Sequence, residues 1–114
     1  VRPVIEGNAL VGHVRHVDGR GNCITDIDRA VFQEAGRGRP FFVNMRRARS
    51  DIRSICRTYV EGTPGEPLAV FNSMGWLEIA ICMGGTDSGY GGATDLLGLK
   101  TGDPIRIEFQ SEAP

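Results

Sequence analysis

Lysine is nearly missing from this 114-residue sequence: Lys100 stands alone among thirteen basic side chains, the rest being arginine. The skew is read as genome composition and given no functional weight. An excess of either charge is missing too. Thirteen basic against fourteen acidic residues leave a formal charge of -1, which excludes a whole-molecule field that would recruit nucleic acid or an anionic membrane. No apolar run approaches the roughly 18 residues that a membrane-spanning helix needs. The three cysteines, Cys23, Cys56 and Cys82, lack the close pairing of a metal site; they sit in apolar runs and read as buried free thiols. That points to a reducing, cytoplasmic setting. The start, Val1 to Glu6, has neither an initiator Met nor a leader's apolar block, so the chain reads as a piece cut from a longer protein. Long amphipathic helices are absent.

Glycine is plentiful, with 16 residues spaced between short β-branched runs, which is the punctuation of an all-β domain. Period-2 alternation is clearest where Phe41, Val43 and Met45 oppose Phe42, Asn44 and Arg46. It recurs at Leu77, Ile79 and Ile81 against Glu78, Ala80 and Cys82, and at Ile105, Ile107 and Phe109 against Arg106, Glu108 and Gln110. Further strands are expected over 9–18, with a bulge at Gly12, and over 23–28, 52–59 and 67–73. Turns fall at 18–22, 36–40, 62–65 and 101–104. One helical turn is expected at Asp95–Gly98, capped by Thr94 or Asp95. The expectation is a single all-β domain over residues 1–114, a small antiparallel β-barrel of about seven short strands, with a sandwich as the other closure.

Three blocks place polar residues inside or beside strands where a plain core does not need them. They are His16-Val-Asp-Gly-Arg-Gly-Asn-Cys-Ile-Thr-Asp26, Phe71-Asn-Ser-Met-Gly-Trp-Leu-Glu-Ile-Ala80 and Leu96-Leu-Gly-Leu-Lys-Thr-Gly-Asp-Pro-Ile-Arg106. In order and spacing they resemble the C-terminal domain of the S-adenosyl-L-methionine (SAM) hydroxide adenosyltransferases, relatives of the SAM-dependent fluorinase and chlorinase. The matching residues are Asp18, Gly21, Asn22 and Thr25, then Tyr59, Gly65 and Glu66, then Asn72, Ser73, Gly75 to Ala80, and Leu96 to Leu99 with Gly102 and Asp103. The middle block is the specific one; a Gly-Asp turn before a strand is common in small barrels. Three positions depart from the family pattern: Arg20 replaces a Phe, Asp26 an Asn, and Cys82 an Asn.

The resemblance implies an enzyme that hydrolyses SAM to adenosine and L-methionine, with SAM as substrate and with no cofactor or metal. It also implies that the hydroxide-generating residues belong to an N-terminal domain absent from this sequence. The substrate then lies between that domain of one subunit and the C-terminal domain of its neighbour in a homotrimer, and the present chain alone is inactive. By the same resemblance Asn22 pairs with adenine, Tyr59 packs on its face, and main-chain groups at Ile81, Cys82 and Met83 line its edge. Asp18 accepts from the methionine ammonium, and Ser73 with the Met74 N–H holds the methionine carboxylate. These residues are expected within one surface concavity.

Each residue also has a plainer reading. Asp18, Asn22, Asn72 and Ser73 suit turns, and Trp76 and Phe71 suit a core. His13 and His16 lie on opposite faces of an extended segment, which argues against a shared metal. Glu78 reads equally as a group orienting the site or as a solvent-facing strand residue. Arginines 37, 39, 46, 47, 49, 53 and 57 offer a rival function, a β-barrel module for nucleic acid or another acidic partner. The span has few aromatics to interleave as stacking platforms, so a solvated face or subunit contact is preferred. A halogenase is the third reading. The run 84–92 is expected to be a mobile glycine-rich loop.

Overall fold

Strand β2 (Ala9–Val17) is the longest of the described elements and joins the two halves of one seven-stranded sheet. A computed structural model describes residues 2–45, 52–83 and 91–111 of the chain. The first half of β2 lies between β1 (Val4–Glu6) and β7 (Pro104–Phe109), through Ile5↔Leu10 and Leu10↔Ile107. Its second half pairs with β3 (Cys23–Asp28) through Val14↔Thr25 and His16↔Ile24. Strand β4 (Phe41–Met45) adds to β7, β6 (Trp76–Ile81) adds to β3, and β5 (Pro67–Phe71) adds to β6. The path is β4-β7-β2-β3-β6-β5, every pair antiparallel, with β1 branching from β2. The sheet curls into a half-barrel, so the expected all-β barrel-like class holds.

Alternation builds the interior. Val43 and Met45 point inward while Phe42 and Asn44 face out, and Leu10, Leu77, Ile79, Ile105 and Ile107 fill the concave side. Burying a side chain of this size is worth about 1.5–3 kcal/mol. The sheet of β5 and β6 is also covered on its convex side, where Leu68, Val70, Ala80 and Cys82 pack with Cys56. Ile52 and Ile55 pack into the main core, and the cover is the segment 52–66 from Cys56 onward, expected to be partly strand. It crosses the face instead, touching β5 by an isolated bridge, Cys56↔Val70, in which the Cys56 N–H donates to Ala69 O at 2.8 Å.

The register break of β2 falls between Val14 and His16, not at Gly12. Gly12 has a different reason to be glycine. A Cβ there would lie 2.5 Å from both Asp26 Oδ1 and Ile27 Cγ1, because the Asp26 carboxylate reaches across to accept from the His13 N–H at 2.8 Å. Thr25, fully buried, closes the irregular stretch of β3 against β6 by donating its hydroxyl to Leu77 O at 2.8 Å.

Helix α1 (Arg29–Gly36) is an element the sequence reading missed. Asp28 caps it, accepting from the Val31 N–H at 2.8 Å, and Arg37 ends it in the left-handed region at φ 52°. Its inner face places Phe32 edge-on to Phe41 and Phe71 at 5.2 and 5.6 Å between ring centres. Helix α2 (Ala93–Leu97) corresponds to the expected turn at 95–98, but Gly92 caps it rather than Thr94 or Asp95. Arginines 46, 47 and 49 and most of the 84–92 run lie outside the described residues.

Candidate functional site

The loop 18–22 is built around one carboxylate. Asp18 Oδ1 accepts from the N–H groups of Arg20 and Asn22 at 2.8 and 2.9 Å, and Oδ2 accepts from Asn22 Nδ2 at 3.2 Å. The Asp18 N–H donates to Asn22 O, and the Gly21 N–H to Asp18 O, both at 3.0 Å. Gly21 takes φ 82°, a conformation that favours a residue without Cβ. Helix α2 buttresses the loop, its Thr94 N–H donating to Gly21 O at 2.9 Å. Contact is so close that a Cβ on Gly92 would lie 2.4 Å from Arg20 O. A carboxylate offers about four acceptor sites, so Asp18 Oδ2 has room for one more donor.

Beside this loop runs the convex face of β3, β6 and β5. The register Ile24↔Glu78↔Val70 sets those three side chains on one face, and alternation puts Asn22 on it as well. Tyr59, from the covering segment, donates its hydroxyl to Glu78 Oε1 at 2.9 Å. Burial, that hydrogen bond and the charges of Glu78 and Asp18 together push the Tyr59 phenol up to about 12. Asn22 stands two residues before Ile24, which pairs with Glu78, so the loop and the tyrosine flank the same carboxylate. Buried Cys23, next to the loop, is pushed up to about 11, by burial first and then by Asp18 and Asp103. Its thiol stays protonated at neutral pH.

At the far end of β6 the turn 72–75 is organised by Asn72. Its Oδ1 accepts from the N–H groups of Met74 and Trp76 at 2.9 and 3.0 Å, and its Nδ2 donates to Glu78 Oε2 at 2.7 Å. Ser73 and Met74 stand exposed at the tip. The structure thus brings Asp18, Asn22 and Tyr59 together but separates Asn22 from Ser73. At about 3.3 Å per strand residue, they lie on the order of 15 Å apart along β6, at the two ends of an elongated face.

The third group of candidates lies where β6 runs out. Ile81 is buried, and the Cys82 main chain is engaged by the 65–66 turn, its N–H donating to Glu66 O at 2.8 Å and its C=O accepting from the Gly65 N–H at 2.9 Å. Main-chain groups alternate sides along a strand, so those of Ile81 turn toward β3 and the 18–22 loop. Met83, at φ 57°, donates its N–H to Tyr59 O at 3.3 Å. Clefts of about 340 and 350 Å³ lie under the 52–67 segment; of the candidates, the first touches Cys82 and the second none. Along the elongated face Asn22 is half-buried at one end and Ser73 exposed at the other, while Glu78, Val70 and Ala80 between them are buried.

This arrangement of a turn-borne Asp and Asn, an aromatic from a crossing segment, and an Asn-Ser turn at the strand's far end can be set beside known proteins. The sequence profile described as SAM hydroxide adenosyltransferase C-terminal domain matches residues 12–106. The chain belongs to that family. Two solved structures are similar to this C-terminal domain. One, an uncharacterized conserved protein from Thermotoga maritima, is 28% identical with a TM-score of 0.74, covering 94% of this chain and 38% of that one. The other, a conserved hypothetical protein from Thermus thermophilus, is 32% identical with a TM-score of 0.62, covering 93% and 37%. The domain therefore spans less than two fifths of either relative. No match is found among curated proteins.

Two polar residues of this domain's face carry more than the sequence suggests. There Asn72 reads as a turn former and Glu78 as equally orienting or solvent-facing; Glu78 is buried, 4% exposed, and holds both Tyr59 and Asn72. The signal is present in the polar residue inside an otherwise apolar run, Leu77-Glu-Ile-Ala-Ile81, but its partner Tyr59 is nineteen positions away in a segment that pairing rules do not place. Of the arginine run, two described members meet aromatic rings. Arg39 lies over Phe109 and Arg53 over Phe42, at 5.3 and 5.7 Å from the ring centres.

Proposed function

We propose that this domain forms the substrate-holding wall of an enzyme that hydrolyses S-adenosyl-L-methionine to adenosine and L-methionine. The observation that supports it best is that the Asp18-Asn22 loop leads into β3 beside Glu78, to which Tyr59 from a distant segment is hydrogen-bonded, in a chain whose family bears that activity's name. The length of the face supports it too, since a nucleoside carrying an amino-acid tail is an extended ligand with polar groups at both ends. On this reading hydroxide bonds to the ribose 5′ carbon as the carbon–sulfur bond breaks. The electron pair stays on sulfur and methionine leaves as a neutral thioether.

The domain's own part is to bind and orient. Asn22 meets the adenine edge with the Ile81 main chain, and Tyr59 covers the ring. Asp18 Oδ2 takes a ribose hydroxyl at the same end, not the methionine ammonium the family pattern implies, because the ammonium shares a carbon with the carboxylate and so lies with Ser73, on the order of 15 Å away. Ser73 and the Met74 N–H take the carboxylate, which must share or displace the Asn72 Oδ1 that now occupies that N–H. Cys82 contributes shape only, because both its main-chain groups are engaged; Met83 borders the ring from the exposed side. The group that generates hydroxide belongs to an N-terminal domain of a neighbouring subunit in a trimer, in the cytoplasm, with no metal or cofactor. One wall cannot bury the 70–90% of a small ligand that binding sites commonly cover, so the domain alone binds weakly and is inactive.

The test is steady-state adenosine release by a protein that carries both domains. Asn22→Ala leaves the adenine edge poorly paired, a loss of about 1–3 kcal/mol or roughly 5-fold to 150-fold in kcat/KM. An unchanged kcat/KM in the folded variant removes Asn22 from the site.

A further inference from the structure

The two ends of the face are joined by a single buried carboxylate, and this bears on how the site is held ready. Glu78 sits in the middle of β6, flanked in register by Ile24 and Val70. It is 4% exposed. A carboxylate in such surroundings is costly unless hydrogen bonds fill its lone pairs. Here they come from opposite directions: Tyr59 Oη–H on Oε1 at 2.9 Å and Asn72 Nδ2 on Oε2 at 2.7 Å.

Donor and acceptor counting fixes the rest of the chain. Asn72 Oδ1 accepts from two main-chain amides, those of Met74 and Trp76. Its amide nitrogen must therefore face Glu78, and it can do so only toward an acceptor. Tyr59 in turn lies on a segment held by scattered main-chain bonds, such as Cys56 N–H to Ala69 O and Met83 N–H to Tyr59 O, and its O–H is the side-chain bond that ties this segment to Glu78. An apolar residue at 78 would pack with Val70 and Ala80 at least as well, so packing alone gives no reason for a carboxylate there.

We infer that Glu78 is a positioning residue that holds the aromatic cover of the adenine end and the Asn72-Ser73-Met74 turn of the methionine end in register with each other through its two oxygens. The inference rests on the site reading above and deepens it: one residue, touching no ligand, sets both subsites. Its two halves separate experimentally because adenosine and L-methionine each engage one end only.

The experiment is a calorimetric titration of the chain with adenosine and with L-methionine separately, for wild type, Glu78→Leu, Glu78→Gln and Tyr59→Phe, with a thermal melt of each. Losing two charge-assisted bonds, Glu78→Leu is expected to weaken both ligands by about 5-fold or more while remaining folded. Glu78→Gln, whose amide still reaches both partners once the Tyr59 bond reverses, recovers much of both affinities. Tyr59→Phe weakens adenosine alone. A folded Glu78→Leu chain that binds both ligands as wild type does, or loses only one, overturns the inference. A wild-type chain that binds neither overturns the site reading instead. The tie is then decided by NMR: Tyr59→Phe is expected to shift the Met74 and Trp76 amide resonances through Glu78 and Asn72, and unmoved resonances overturn it. The same spectra decide the matter if Glu78→Leu fails to fold.

Discussion

Tyr59 is the residue where charge, burial and hydrogen bonding are most visible together. Its phenol is pushed up to about 12 by burial, by the Glu78 hydrogen bond and by the Glu78 and Asp18 charges, against an ordinary value of about 10. The folded state therefore favours the neutral phenol. The stabilisation it gives is fully present below about pH 10 and is lost as pH rises toward 12. Of the two tyrosines, this one is expected to stay un-ionised in an absorbance titration at pH 11. Glu78→Gln removes a negative charge and brings the midpoint down; a midpoint that stays put separates Tyr59 from Glu78. The thiols follow similar reasoning. Cys23 is buried and pushed up to about 11, whereas Cys56 is partly exposed, its thiol raised by burial first and by Glu61. Alkylation of the native chain should modify Cys56 well before Cys23, and equal rates would mean that the 18–22 loop opens readily. Asp18, Asn22 and Ser73 were readable as candidates because their types match a family pattern. Glu78 was readable only as equally an orienting group or a solvent-facing residue, since its role depends on a partner brought by tertiary structure.

Among the elements, those with strict alternation were legible and those held by other means were not. The 41–45, 77–81 and 105–109 runs became strands because period-2 apolar residues had a concave side to fill. The 52–59 run has strand-like residues as well, yet its apolar side chains divide between two sides, Ile52 and Ile55 against the main core and Cys56 on the back of β5 and β6, which needs contacts and not a ladder. Strand β1 was missed because Val4 and Ile5 remain half exposed, and it exists through the tight turn at Gly7, φ 58°, that folds it onto β2. Helix α1 was missed because eight residues carry too short a periodicity, though Asp28 was a readable cap. Removing that cap by Asp28→Ala is expected to cost about 1 kcal/mol in a denaturant melt. An unchanged melt means the Phe32 packing alone sets the helix. Gly12→Ala forces a methyl into the Asp26 carboxylate and Ile27, for a loss of about 1–3 kcal/mol; a neutral result would show that β3 can move away from β2 at little cost.

At the scale of the molecule, a curled sheet presents two differently used surfaces. The concave side is a core, and the convex side of β3, β6 and β5 is buried along its middle, at Glu78, Val70 and Ala80, with Asn22 half-buried at one end and Ser73 exposed at the other. The sequence allowed the fold class and the polar residues to be read, because alternation and motif order are local properties. It did not allow the spread of those residues to be read. The expected single concavity assumed that motif neighbours converge, whereas the β3–β6 register strings them along a strand. The measurement that tests this account most directly is an NMR titration of the chain with SAM at millimolar concentration. The account predicts fast-exchange shifts confined to 18–22, Tyr59, 72–76 and the end of β6 at Ile81. Shifts centred on the clefts beneath the 52–67 segment, or none at all, would contradict it.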